Sequence, residues 1–270
     1  SLEFAKQTEV QQIQFHSEMQ RARNQQYALY GGLAFLLVMG LMAYGGYRRK
    51  KRDNEIISAQ KQDVEEQKEL VEEKNQKIWD SITYAQRIQT AILPPPRLVK
   101  ELLPDSFIVY EPKDLVAGDF FWMEDSKDWT FFAVADCTGH GVPGALVSVV
   151  CHNALNRSVR EFELREPGKI LDKTRELVIE TFEKSEEEVK DGMDIALCAL
   201  NKKTKKLQFA GANNPLYHIT ELDENVNERS VKDKTHYVHE VKADRQPIGK
   251  HSLEKSYSNH SLQLKPGDVI

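Results

Sequence analysis

The sequence is poor in cysteine: Cys137, Cys151 and Cys198 are the 3 among 270 residues, an odd number with no CxxC pair. That usage leaves out a disulfide scaffold and a thiolate zinc site, and it suits a reducing compartment. An excess of positive charge is also missing. Lys and Arg number 37 and Asp and Glu 42, a formal charge of -5. With no global cationic field, no nucleic-acid partner is expected. Collagen-like and wholly disordered classes fall away because hydrophobic residues make up 40% and charged residues 29% of the chain.

Two local absences divide the sequence. No charged residue occurs from Tyr27 to Tyr47. At ~1.5 Å rise per helical residue, that stretch reaches the ~30 Å of a bilayer core. Tyr27, Tyr30, Tyr44 and Tyr47 lie near its ends, where amphipathic rings favour the interface. Five consecutive cations, Arg48-Arg49-Lys50-Lys51-Arg52, follow at once. The positive-inside rule then puts the C-terminal side in the cytoplasm, against a smaller pull from Arg21 and Arg23. A buried core helix is one alternative. A signal peptide fits less well, because the run starts late and lacks a small-residue cleavage pattern. The reading is a single transmembrane helix at 27–47 in the inner (cytoplasmic) membrane. Residues 1–26, polar and Gln-rich, form a juxtamembrane helix too short to be a sensor domain. The start at Ser1 rather than Met raises the expectation of a missing upstream segment.

The second absence is of glycine and proline, from Asp53 to Leu93. Ile57, Val64, Val71 and Ile78 recur every seven residues, as the seam of a coiled coil requires. Gln60, Gln67 and Lys74 occupy the other seam, which makes the coil weak or switchable. From Ile78 the pattern broadens through Ile82, Ala85, Ile88 or Gln89, and Ile92. Pro94-Pro95-Pro96 then ends the helix, since proline lacks an N–H and clashes with the preceding turn. Residues 48–93 read as a basic cluster and a signalling helix, with a homodimer expected through 53–93; a solvated linker helix is the plain alternative.

Beyond Pro96 the pattern changes. β-like runs cover Phe107–Tyr110, Phe120–Met123, Trp129–Val134, Ile195–Leu200, Leu207–Ala210, Leu216–Thr220 and Tyr257–Leu264. Amphipathic helical stretches cover Val142–Val159 and Ile170–Lys184. Strands, two helices, then strands again predict an α+β domain over 94–270, with largely antiparallel sheets and helices packed outside.

Two aspartates stand at strand ends. Asp119 follows Gly118 and precedes Phe120-Phe121, and Asp136 follows the apolar run Trp129–Ala135 and precedes Cys-Thr-Gly-His-Gly-Val-Pro-Gly. Carboxylates at neighbouring strand ends, beside glycine loops, suit hard divalent cations such as Mg²⁺ or Mn²⁺. Strand-end or turn roles are the plain alternative. Three rival chemistries use the same segment. Cys137 with His140 would make a nucleophile and base, but a spacing of three in a glycine loop fixes no geometry. GHGVPG would cradle phosphate, yet the Walker lysine and hydroxyl are absent. Cys137, Cys151 and His152 would bind metal, without the paired spacing of zinc sites.

Seven segments, in order, carry a resemblance: YAQRIQTAILP at 84–94, PKDLVAGDFFW at 112–122, VADCTGHGVPGALVS at 134–148, GMDIALCAL at 192–200, FAGANNPLY at 209–217, DRQPIG at 244–249 and LKPGDVI at 264–270. From about Tyr84 to Ile270 the chain resembles the SpoIIE-like branch of the metal-dependent PPM-type serine/threonine phosphatases. The resemblance implies an antiparallel β-sandwich flanked by helices, with two Mn²⁺ or Mg²⁺ ions at one end. It implies that Asp119 and Asp136 are metal ligands, Asp136 bridging both ions. Cys137, where relatives usually carry glycine, would ligate through its backbone carbonyl, its thiol being incidental. Phe121-Trp122 departs from the tyrosine and aspartate of many relatives. Asp194 is a further ligand candidate, Asn213 and Asn214 look like turn residues, and Lys113 could approach substrate phosphate or be a solvated surface lysine. The implied substrate is a phosphorylated regulatory protein of the anti-sigma-antagonist type.

In relatives, the strand that LKPGDVI begins runs on to an Asp-Gly whose aspartate binds metal, and a last acidic strand closes the fold. The expectation is therefore a C-terminus truncated at Ile270, an incomplete sandwich, and weak or no activity in this chain. Asp268 belongs to the preceding turn and is not the missing ligand. The alternative function is a membrane-tethered signalling or binding module that keeps the phosphatase fold without its chemistry. A histidine kinase is a third reading, which the lack of a Gly-rich nucleotide-binding pattern after the coil disfavours.

Overall fold

A computed structural model describes residues 2–183, 191–221, 236–252 and 255–270. Two compact units divide the chain, 1–76 and 77–270. One helix, α1 (Leu2–Ile92), supplies the described residues of the first and opens the second. The glycines at 31, 32, 40, 45 and 46 do not interrupt it. Within the first unit, α1 leaves its apolar residues bare: Leu36, Leu37, Leu41, Ile57, Val64 and Val71 are all exposed. It contains a window long and apolar enough to cross a membrane, none of it buried.

The second unit begins inside the segment that the sequence assigns to the signalling helix, because the last turns of α1 dock there through Gln89, with Leu93 just beyond the helix packing on the core. Pro94 and Pro95 break the helix, and Pro96 opens a short α2 (Pro96–Leu102), which the sequence reading missed. Proline at a helix start loses no hydrogen bond, so the same triplet that stops one helix starts another.

Five strands make the main sheet: β1 (Phe120–Asp125), β2 (Trp129–Cys137), β3 (Met193–Asn201), β4 (Lys206–Ala212) and β7 (His260–Gln263), adjacent in that order and antiparallel throughout. Side chains alternate between faces along each strand. Phe131, Ala133, Ala135, Ile195 and Leu197 point to one face, where α3 (Gly141–Arg160) and α4 (Pro167–Glu183) cover them. The helices match that face by burying Val147, Cys151, Ala154 and Leu155, and Ile170, Leu171, Thr174, Leu177 and Val178, at helical spacing. On the opposite face Phe132, Ala196, Cys198 and Phe209 meet Leu216 and Val241 of a two-stranded sheet, β5 (Leu216–Glu221) and β6 (His236–Val241). Val134 on that face stays 59% exposed.

Three strand expectations change. Phe107–Tyr110 is no strand: among the described residues its backbone finds no ladder partner, and Phe107 and Val109 are exposed. A β-like composition makes a strand only where a neighbour supplies the other half of the ladder. Tyr257–Leu264 shortens to β7, because Tyr257 turns away to donate its hydroxyl to the Pro247 carbonyl (2.7 Å). β6 went unread since His236, His239 and Glu240 mask its alternation. Lys184, at the end of the second predicted helix, lies outside the described residues.

A part-buried side-chain hydrogen bond ties β5 to the C-terminal turn. His218 Nε2 and Asp268 Oδ2 are 3.0 Å apart, and the Lys265 amide donates to the same oxygen at 2.8 Å. Burial alone would raise the Asp268 carboxyl. The Lys265 amide and His218 outweigh it and hold the carboxyl below its usual range. A carboxylate with a depressed folded pKa stabilises the fold above its unfolded pKa of about 3.9 and loses that contribution as pH falls through the folded value. Asp268→Asn should therefore melt below the wild type at pH 7, and the two melting curves should converge as pH falls through the folded value.

Candidate metal centre

The register of the main sheet sets a row of polar residues across one of its ends. Asp119 immediately precedes Phe120, which pairs with Ala135. Asp136, the next residue, pairs with Asp194, and one step beyond the Ile195–Ala212 pair stands Asn213. Asp136 and Asp194 belong to the face away from the helices, where alternation leaves Asp136 exposed beside buried Ala135 and Cys137. Asp119 is close enough to act on Asp136 directly. Partial burial raises the Asp136 carboxyl above the usual carboxylate range, and the hydrogen bond and charge of Asp119 raise it further.

Interlocked glycine loops bring the two aspartates together. A Cβ on Gly118 would sit 2.7 Å from the Gly139 carbonyl and 2.9 Å from that of Cys137, and one on Gly144 would sit 2.5 Å from the Gly139 carbonyl. Gly139 (φ +88) and Gly141 (φ +61) take left-handed conformations, bending the chain from β2 into α3. Thr138 fastens the turn to β3: its amide donates to the Gly192 carbonyl at 2.9 Å, and its hydroxyl accepts from the Gly192 amide at 3.2 Å.

Cys137 is buried on the helix side of the sheet. Its hydrogen bond with the Cys151 thiol, followed by burial, raises its pKa far above the ordinary thiol value. A buried, protonated thiol facing away from Asp136 is no nucleophile, which removes the Cys137–His140 pairing. His140 instead lies 3.4 Å from Asp114 on the exposed rim of the loop. His152 belongs to a different network, sharing Asn156 with the indole of Trp122; burial is the main cause of its lowered pKa.

Three residues support the site; by sequence Asn213 reads as a turn residue, Gln89 as part of the apolar helix face and Tyr110 as a strand residue. Gln89, buried at the end of α1, clasps the segment before Asp119 through both backbone groups of Ala117. Its Nε2 donates to the Ala117 carbonyl (2.6 Å) and to Ser148 Oγ (2.9 Å), and its Oε1 accepts from the Ala117 amide (3.1 Å). The signal was present as a glutamine in line with the apolar residues Ile82, Ala85 and Ile92. Gln89→Ala would strand the buried Ala117 amide and carbonyl, at about 1–3 kcal/mol for such an unsatisfied group, while Ser148 keeps its bond to the Ala145 carbonyl. Urea unfolding of that variant should show a lower midpoint with unchanged m. Tyr110 donates its hydroxyl to the Asp119 carbonyl at 3.2 Å and packs edge-on against Phe121. Burial, and then the Asp119 charge, raise its pKa, so it remains a neutral donor. Asn213, in a left-handed conformation, donates to Asp194 Oδ1 at 2.8 Å.

The donor set is hard: two adjacent carboxylates and nearby backbone carbonyls. Among the described residues no group of three His, Cys, Asp or Glu gathers at one point. Magnesium-like ions use one or two carboxylates and complete their shell with water, so Asp119 and Asp136 fit such a cation.

The family model for Stage II sporulation protein E (SpoIIE) matches residues 126–270. No curated protein matches the chain. Among solved structures, the SiaA-PP2C domain of Pseudomonas aeruginosa is 30% identical, with a TM-score of 0.58 over 72% of this chain and 70% of that one. The PP2C phosphatase domain of SpoIIE from Bacillus subtilis, solved with a fragment of its regulatory domain, is 18% identical with a TM-score of 0.43 over 57% of this chain and 40% of that one. The α+β arrangement of antiparallel sheets and flanking helices is the PP2C-type phosphatase fold. The chain belongs to the SpoIIE family.

Proposed function

We propose that the chain is a membrane-anchored protein serine/threonine phosphatase that hydrolyses phosphoserine or phosphothreonine on a regulatory protein of the anti-sigma-antagonist type. The observation that carries this reading is the Asp119–Asp136 pair at the end of a PP2C-type sheet, with each loop held by backbone contacts. Asp119, Asp136 and the Cys137 carbonyl would hold Mn²⁺ or Mg²⁺. Bound there, the metal supplies Lewis acidity that sharpens a water nucleophile and offsets charge on the phosphoryl oxygens. The chain's own part is positional. Asp119 and Asp136 offer their carboxylate oxygens to the cation, Tyr110 and Gln89 hold the segment entering Asp119, and Thr138 fixes the loop leaving Asp136. Release of inorganic phosphate from phosphoserine peptides, with Mn²⁺ and with chelator, tests the reading. Release that survives the chelator would contradict the metal-dependent reading, and Mn²⁺-independent binding of the phosphoserine peptide with no release under any ion would favour the binding module of the same fold.

Residues 94–270 would form the phosphatase domain, behind a membrane span at 27–47 that leaves it cytoplasmic. The bare heptad of Ile57, Val64 and Val71 supports a homodimer through 53–93, since exposed apolar seams call for a partner. Val71→Asp puts a charge on that seam. Sedimentation of the full chain in detergent should then move from dimer to monomer.

A further inference from the structure

Away from the candidate metal centre, His152 of α3 ends a short chain of hydrogen bonds. The Trp122 indole N–H of β1 donates to Asn156 Oδ1 at 2.8 Å, and Asn156 Nδ2 lies 3.3 Å from His152 Nδ1. An indole can only donate, so it sets the Asn156 amide with its oxygen toward Trp122 and its NH₂ toward His152. His152 Nδ1 must then accept, which leaves the ring proton on Nε2 and the imidazole neutral. The ring meets Phe120 edge-on at 6.1 Å and hydrogen-bonds the backbone of Ile92, the last residue of α1. The chain thus runs from a buried indole in β1, through α3, to the end of the helix that continues unbroken from the first unit.

We infer that His152 is a proton-sensitive latch on the last turn of α1: neutral, it ties Ile92 to α3, and protonated, it lets go. An imidazolium has two N–H donors and no acceptor, so its Nδ1–H would face the NH₂ of Asn156. Turning the amide over gives His152 an acceptor but sets the same NH₂ against the Trp122 N–H. Either orientation leaves two donors face to face. Trp122 is 1% exposed and cannot turn to water, whereas His152 is only half-buried. The His152 ring is therefore the member that swings out, and in leaving it gives up Ile92. The charged groups acting on it are Arg160 of its own helix and Glu124 of β1, which pair with each other at 2.7 Å; α1 contributes only the uncharged Ile92 backbone. Glu124, the one carboxylate of that set, is thus already engaged. Burial, the largest influence on the ring, lowers its pKa, so protonation comes below the ordinary imidazole value of about 6.5. The latch is closed at neutral pH and opens on acidification. It operates whether or not the chain turns over phosphate.

Hydrogen exchange on the full chain in detergent, read by mass spectrometry and corrected for the intrinsic pH dependence of amide exchange, tests the latch. From about pH 7.5 to about pH 5, on either side of the ordinary imidazole value, peptides covering 84–93 should lose about tenfold in protection, as for one net hydrogen bond. Peptides covering 193–201, in β3, should keep theirs. His152→Gln retains an acceptor for Asn156 and a donor for Ile92 without a titrating proton, and its protection should be the same at both pH values. Asn156→Asp offers oxygen to Trp122 and to a protonated His152 alike, so its protection should also persist in acid. In protein labelled with ¹⁵N-tryptophan, the Trp122 indole resonance should titrate with a midpoint below about 6.5 in the wild type and not in His152→Gln. Wild-type protection over 84–93 that does not change with pH overturns the latch. An acid loss that survives His152→Gln or Asn156→Asp overturns it as well, by placing the proton or its effect elsewhere. Equal loss over 193–201 would mean global unfolding and has the same consequence.

Discussion

Asp136→Asn should abolish whatever metal-dependent phosphate release the wild type shows, while making the metal-free protein more stable. Outer residues around a metal centre commonly change affinity or activity 10- to 100-fold, so losing a ligand itself should cost more than about a hundredfold. The gain in stability follows from the raised carboxyl pKa. Partial burial and the neighbouring Asp119 disfavour the charged form of Asp136 in the fold. A carboxyl whose folded pKa lies above its unfolded value of about 3.9 is at its most favourable below that pH, and its contribution falls as pH rises through the folded value. Asparagine resembles the protonated acid and escapes that loss. At pH 7 without metal, the variant should melt above the wild type, and the difference should vanish below about pH 4. Added Mn²⁺ should reverse the order, because a ligand at a hundred times its Kd stabilises by about 2.7 kcal/mol and the variant cannot take it up. A melting series with and without Mn²⁺ reads both signs; a variant that still gains from Mn²⁺ contradicts the role given to Asp136.

Gly118→Ala is the second large effect, and its origin is space. The new methyl would press on two backbone carbonyls, those of Gly139 and Cys137, at 2.7 and 2.9 Å. Neither can rotate away like a side chain, so the loops carrying Asp119 and Asp136 must separate. Forcing an extra carbon into a well-packed site costs about 1–3 kcal/mol, and here the displaced atoms include the carbonyl assigned to the metal. The expected result is a lower urea midpoint together with loss of Mn²⁺ uptake. Gly267→Ala serves as the comparison: nothing lies within 4 Å of its Cβ, and only its positive φ of 93 opposes it. Equal Mn²⁺ uptake by Gly118→Ala and wild type would contradict the interlocked loops.

Much of this architecture is legible in the sequence, for identifiable reasons. β2, β3, α3 and α4 announce themselves because each buries one face of a regular pattern. The aspartates were legible as strand-end carboxylates beside glycines. What stayed hidden depends on partners distant in sequence. The clasp of Gln89 on Ala117 spans 28 residues, and the pairing of Asp136 with Asp194 exists only once β2 and β3 are in register. Phe107–Tyr110 failed in the opposite sense: it has the composition of a strand and, among the described residues, no neighbour to pair with. Cys137 could be assigned only when the alternation of β2 placed its thiol on the helix side.

The central claim is that Asp119 and Asp136 together form a divalent-cation site. Electron paramagnetic resonance counts free Mn²⁺ directly, and titrating the full chain in detergent measures uptake whether or not the enzyme turns over. Wild type should remove Mn²⁺ from the free pool, and Asp119→Asn and Asp136→Asn should each leave it there. Equal uptake by all three proteins would contradict the account.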